Sequence, residues 1–162
     1  GEYSAKGQGV SVAGMNANDV WVKLARCCTP VPGDEIIGFI TRGQGVSVHQ
    51  SSCPNAIRLQ GLHPERFVEV SWSGEHSQAQ YLVQIQTKAL DRPGLLADMT
   101  KVMTDYRVNI LSASTVSTRD QVATARFSFE LAEISHLNAV LSALRRVDGV
   151  FEAVRVSTSA AQ

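Results

Sequence analysis

The sequence predicts an α+β protein in two parts: a small β-rich module with one short helix, then a βαββαβ domain. Three observations predict it. The second half shows clean helix and strand periods in that order. The first half carries Gly, Pro and Cys between short alternating segments. Between them Ser73-Gly74-Glu75-His76-Ser77-Gln78 is polar, holds a glycine and has no period, which is the pattern of a linker. The expected bounds are 5–72 for the first module, 73–79 for the linker, 80–156 for the second domain and 157–162 for a frayed tail.

The first half opens with Gly7-Gln8-Gly9-Val10-Ser11-Val12, which recurs as Gly43-Gln44-Gly45-Val46-Ser47-Val48. A solenoid needs at least three repeats, so the pair reads as two similar entries from a glycine turn into an alternating strand. Further strands are expected at 20–25, 36–41 and 66–72. Pro30-Val31-Pro32-Gly33-Asp34 is a rigid connection, and Pro54 opens a short helix over 55–59.

In the second half Tyr81, Val83 and Ile85 alternate with Gln84 and Gln86, giving a strand with one wet face. After Pro93-Gly94, residues Leu95, Leu96, Met99, Val102, Met103 and Tyr106 form one helical stripe. A strand from Val108 toward Thr118, a turn at Arg119-Asp120 and a strand over 122–131 follow. Leu137, Val140, Leu141, Leu144 and Val147 make a second helix, stopped at Asp148-Gly149, and 150–156 is the last strand. Right-handed crossovers turn this order into a ferredoxin-like fold: four antiparallel strands with both helices on one face.

Lys plus Arg and Asp plus Glu each number 15 in 162 residues. A neutral chain has no long-range pull on nucleic acid or an anionic membrane, so any RNA contact needs a local patch or shape. No apolar run approaches the ~18 residues that cross a bilayer and no signal peptide opens the chain. The protein is expected in the cytoplasm, with no membrane partner. Three cysteines, two of them adjacent, do not suit a disulfide framework.

Cys27, Cys28, His49 and Cys53 are a Cys3His set, and His49 and Cys53 have the spacing of a local zinc pair. Neighbouring strand residues point to opposite faces, so Cys27 and Cys28 reach one ion only from a turn. Two other readings stand beside zinc: small buried residues of a β-module, and a Cys28–His49 nucleophile–base dyad, for which no third group is evident. His63 and His76 sit in polar surroundings and are expected exposed. Gly43-Gln44-Gly45 is too short for a phosphate loop. Arg42, with Lys23, Arg26 and Arg58, is offset by Asp19, Asp34 and Glu35, so the charge there is that of an ordinary solvated surface.

The string Lys23-Leu24-Ala25-Arg26-Cys27-Cys28-Thr29-Pro30-Val31-Pro32-Gly33-Asp34, followed by Ile37–Gly43, Val46-Ser47-Val48-His49 and Cys53-Pro54-Asn55, closely resembles the conserved-cysteine module of the long RelA/SpoT homologues. These are the stringent-response enzymes that make and break guanosine alarmones. Leu90-Asp91-Arg92-Pro93-Gly94-Leu95-Leu96 and Val108-Asn109-Ile110 resemble the ACT domain that follows in that family. The resemblance covers roughly residues 9–156. Nothing resembles the family's hydrolase or synthetase domains, so the chain reads as a regulatory region with no alarmone chemistry of its own.

The resemblance implies zinc at Cys27, Cys28, His49 and Cys53, in a module that docks on ribosomal RNA when uncharged tRNA is sensed. Lys23, Arg26 and Arg42 become candidates for phosphate contacts. It also implies an amino-acid effector at Asp91, Gly94, Leu95, Leu96, Asn109 and Ile110. The helix start supplies free N–H groups for a carboxylate, Asp91 suits an ammonium, and the apolar residues suit valine, isoleucine or leucine. The structural alternative is that Asp91 caps the helix, Gly94 permits the turn and the leucines are core. Two functions follow: a sensor that biases its own catalytic domains, or a module that only forms a homodimer through the ACT sheet.

Overall fold

The computed structural model describes residues 4–6, 9–15, 20–43, 45–73 and 80–156. The chain divides into two compact units, the first running through residue 81 and the second from 82 to 156. Most of the expected linker, the tail 157–162, His76, Asp19 and the glutamines of the hexapeptide repeat lie outside the described residues.

The first unit holds β1 (Ser4–Lys6), β2 (Val10–Val12), β3 (Trp21–Leu24), β4 (Ile36–Ile40), β5 (Gly45–Gln50), α1 (Pro54–Leu62), a 3-10 turn (Pro64–Arg66), β6 (Phe67–Val68) and β7 (Val70–Trp72). Five strands form one sheet in the order β1-β3-β5-β4-β6, while β2 and β7 pair as a separate ribbon. The two hexapeptides thus open strands in different sheets. The pairing of β3 with β5 is parallel, and that of β1 with β3 and of β4 with β5 and β6 is antiparallel.

Three expectations are corrected here. The short helix extends to Leu62, because Gly61 does not stop it and no proline follows until Pro64. The single strand expected at 66–72 is two. Phe67–Val68 pairs with β4, the chain then changes sheets at Glu69, and Val70–Trp72 pairs with β2. Alternation of side chains cannot reveal such a change, because the period of two continues through it. Strand β1 was not expected.

Val22, Leu24, Val46 and Val48 are buried on one face of the large sheet. Gly38 lies on that face, where an added Cβ would stand 2.7 Å from Val70 Cγ1 and 3.1 Å from Val46 and Val68. The bare glycine is what lets the ribbon close on the sheet. Beside β5, α1 covers a second cluster of Ala25, Cys28, Ile37, Phe39, Cys53 and Ala56, with Cys27 and Leu59 packed against it.

The second unit holds β8 (Tyr81–Leu90), α2 (Leu95–Asp105), β9 (Asn109–Ser117), β10 (Val122–Leu131), α3 (Ser135–Arg145) and β11 (Val150–Arg155). Strand order is β11-β8-β10-β9, the ferredoxin-like arrangement. Val83, Ile85, Ala125, Phe127 and Phe129 meet Met99, Met103, Val140 and Leu144 in a fully buried core. The helices touch each other, as two helices on one face must. No helix among the described residues is long and apolar enough to cross a membrane.

Two glycines give opposite expectations. Gly38→Ala drives a methyl into stiff valines and should destabilise the first unit by about 1–3 kcal/mol. Gly61→Ala, in α1 with nothing within 4 Å of the added carbon, should stabilise it by roughly 0.5–1 kcal/mol. Urea unfolding of both variants checks the signs.

Candidate functional site

The cysteine–histidine cluster follows from strand direction. β3 and β5 run the same way, with Leu24 opposite Val48, so the residues just after β3 come to the end of β5. Ala25 N–H continues the pairing to Val48 O at 2.9 Å. The chain then turns: Thr29 N–H bonds Ala25 O, and Thr29 takes φ +44°. A left-handed β-branched residue is strained, and surrounding contacts must hold it there. This turn is the bend that adjacent cysteines need to face one centre.

Asp34 pins the turn that follows. Its carboxylate accepts Val31 N–H at 2.8 Å and the Gln50 side-chain amide at 3.0 Å, and its carbonyl accepts Trp72 Nε1–H at 3.0 Å. Cys53 is the N-cap of α1, ahead of Pro54 in the first turn, where a missing N–H costs nothing.

One donor atom from each of Cys27, Cys28, His49 and Cys53 lies within 4.8 Å of the others. Cys27 Sγ stands 3.3 Å from His49 Nδ1 and 3.5 Å from Cys53 Sγ, and Cys28 Sγ stands 3.8 Å from the same nitrogen. Tetrahedral zinc with Cys and His ligands has donor–donor edges of about 3.5–3.8 Å, so the set fits that ion. All three cysteines are free thiols. Cys28, His49 and Cys53 are buried and Cys27 is half-buried.

Burial pushes the Cys28 thiol far up, against the Gln50 N–H that donates to its sulfur at 3.2 Å. Burial also raises Cys27, against the Asn55 amide. Burial, and then the charge of Lys23, lowers His49. Without metal, burial therefore favours the neutral forms of Cys27, Cys28 and His49. A nucleophilic cysteine needs the opposite shift, which argues against the Cys28–His49 dyad.

The three candidate phosphate contacts are all exposed and do not form one patch. Lys23 lies mid-sheet opposite Ser47. Arg26 precedes the cysteine turn, and Arg42 lies in the β4–β5 turn at the other end of the sheet. His63 is exposed beside Glu65 at 3.4 Å.

In the second unit Asp91 does not cap α2. Its carboxylate accepts the Ser117 hydroxyl at 2.8 Å, and the N-cap is Gly94, at φ +80° with no side-chain cap. Glycine tolerates that conformation without strain. Arg92, absent from the expected site, occupies this corner. Its guanidinium bonds Asp98 at 2.8 Å and Asp148 O at 3.0 Å. Leu95 is buried in the core, whereas Leu96, Asp91 and Asn109 are exposed and Ile110 is half-buried. Since Asp91 meets Ser117 at the end of β9 and Asn109 begins that strand, the two halves of the expected site stand about 25 Å apart within one chain.

Residues 10–73 match the model of the RelA/SpoT RIS domain and residues 77–155 that of the ACT domain. The chain is 55% identical over 151 residues to a GTP pyrophosphokinase of Streptomyces coelicolor, covering 93% of this chain and 17% of that protein. It is 51% identical over 152 residues to the bifunctional (p)ppGpp synthase/hydrolase RelA of Mycobacterium tuberculosis, covering 94% of this chain and 20% of the relative. The chain thus spans about a fifth of these relatives' length. Among solved structures it is similar to the ACT domain of a GTP pyrophosphokinase from Chlorobium tepidum, with TM-score 0.44 and 23% identity, over 48% of this chain and all of that one.

Exposure orders the thiols. Under reducing, metal-free conditions maleimide should label Cys27 at least about tenfold faster than Cys28 or Cys53, and more slowly than free glutathione. Peptide mass spectrometry over a time course reads this. Equal rates for the three would mean that the turn opens as a unit.

Proposed function

We propose, on the premise that this chain belongs to the RelA/SpoT family and carries its RIS and ACT domains in that order, that it is the regulatory region of a long alarmone synthase/hydrolase. It binds but does not turn over. The RIS unit reports ribosome and uncharged-tRNA state, with Lys23, Arg26 and Arg42 as phosphate contacts along the sheet. The ACT unit binds a branched-chain amino acid and biases the parent enzyme's own catalytic domains, a coupling between sites. The observation that carries this reading is the succession of the two domains within one chain.

Cys27, Cys28, His49 and Cys53 would hold zinc. Four protein donors leave no open position, so the ion supplies a cross-link rather than catalysis. It ties the turn after β3 to the start of α1 and so keeps the RIS unit in one shape for docking.

Strand β9 favours a second reading, that the ACT unit dimerises. It is a nine-residue sheet edge, exposed along nearly its whole length, with Leu111 51% and Val116 63% exposed. Unpaired edges of that length recruit another strand. The two readings meet in one geometry. If two β9 strands pair antiparallel about a two-fold axis, Asp91 of one protomer comes beside Asn109 of its partner, and the separated halves of the amino-acid site close across the interface.

Calorimetric titration with valine, with lysine as control, tests this beside light scattering. The sensor predicts saturable heat for valine in a dimer, abolished by Asp91→Ala and by Asn109→Ala. Mixing the two variants should restore about a quarter of the sites, because a heterodimer keeps one intact site of two. A dimer with no heat at millimolar valine would leave dimerisation alone as the role of the ACT unit.

A further inference from the structure

We propose that Ser47 is the positioning residue of the metal centre: its hydroxyl accepts the Nε2–H of His49 and so fixes the imidazole with Nδ1 toward the three sulfurs. The proposal rests on the zinc reading above and assigns the residue that makes His49 a ligand of defined tautomer.

The geometry is direct. His49 Nδ1 faces Cys27 and Cys28 at 3.3 and 3.8 Å, and its Nε2 stands 3.2 Å from Ser47 Oγ. Ser47 precedes His49 by two residues on β5, so the strand period puts both side chains on one face. A nitrogen that holds a metal carries no proton. With Nδ1 turned to the sulfurs, the ring proton lies on Nε2, and Ser47 Oγ is its acceptor.

The neighbouring strands leave Ser47 without a rival. Its register partners are Lys23 on β3 and Phe39 on β4. Neither has a side chain that can accept a hydrogen bond. Phe39 instead holds the ring from the side, edge-on at 6.0 Å and 81°. His49 is 7% exposed, so water is a poor substitute for the hydroxyl. The sulfurs have outer partners of their own, Gln50 N–H at Cys28 and Asn55 at Cys27. Ser47 supplies the imidazole with the equivalent, and such outer partners typically carry 10–100-fold in metal affinity.

The test uses the reduced full chain, zinc competed against a chromophoric chelator, and cobalt(II) as a spectroscopic probe of the donor set. Wild type should bind one ion per chain with a tetrahedral sulfur–nitrogen spectrum. Ser47→Ala should keep that stoichiometry and bind about 10–100-fold more weakly, while Ser47→Thr, which retains the hydroxyl, should recover most of the loss. Nitrogen-15 NMR of the zinc-loaded wild type should show His49 protonated at Nε2 and metallated at Nδ1, a readout that needs no variant to fold. Unchanged affinity in Ser47→Ala, or metal on Nε2 in the wild type, overturns the role of Ser47 and leaves the zinc reading standing. A wild-type chain that binds no ion overturns the zinc reading itself, and the role of Ser47 with it.

Discussion

The parallel pairing of β3 with β5 is the constraint on which the first unit depends. In a sheet whose other pairings are antiparallel, this one register, Trp21 to Gly45 through Leu24 to Val48, sends two chain segments out of the sheet at the same end. The cysteine turn leaves β3 there and His49 sits on the last residues of β5. An antiparallel pairing would have put Cys27 and His49 a strand's length apart. Asp34 then holds the arrangement from outside, since its carboxylate and carbonyl bind the turn, β5 and Trp72 together.

The two units differ in how their sequences reveal them. The βαββαβ order was legible because its main elements are long and periodic: β8 and β10 run ten residues each with burial alternating over most of their length, and α2 and α3 carry one apolar stripe each. The first unit is built from strands of two to six residues, too short for period alone to fix their partners. The change of sheet at Glu69 leaves no mark in the alternation, and Gly38 announces itself only once Val70 is seen above it. The four donor residues were legible by chemical type and by resemblance. That they converge was not, because convergence depends on a parallel register and on Thr29 taking a left-handed turn. Ser47 is a further case. A serine between two valines on a strand carries no signal, and only the position of His49 Nε2 gives it a task.

In the ACT unit the resemblance named two segments and concealed their separation. Asp91–Gly94 and Asn109–Ile110 are near in sequence, but α2 runs the length of the sheet between them, so they lie at opposite ends of β9. Arg92 escaped attention because an arginine after an aspartate reads as surface charge. In the fold it fastens the start of α2 to the loop after α3, across Gly149, where any side chain would meet Leu90 O at 3.2 Å.

The ribbon of β2 and β7 also has a mechanical meaning. Val10 pairs with Trp72 and Val12 with Val70, so the strand that enters early and the strand that leaves last part from the same end of the ribbon. Tension drawing those ends apart breaks these bonds one at a time, as a zipper opens, and not all together as in shear. The ribbon is therefore a weak clasp under load. For tension applied between Gly9 and Ser73, the segment from Cys27 to Cys53, which lies inside the ribbon along the chain, feels the pull only after the clasp has gone. Tension entering from the N-terminal side instead meets β1 first, whose pairing with β3 carries the load into the large sheet itself.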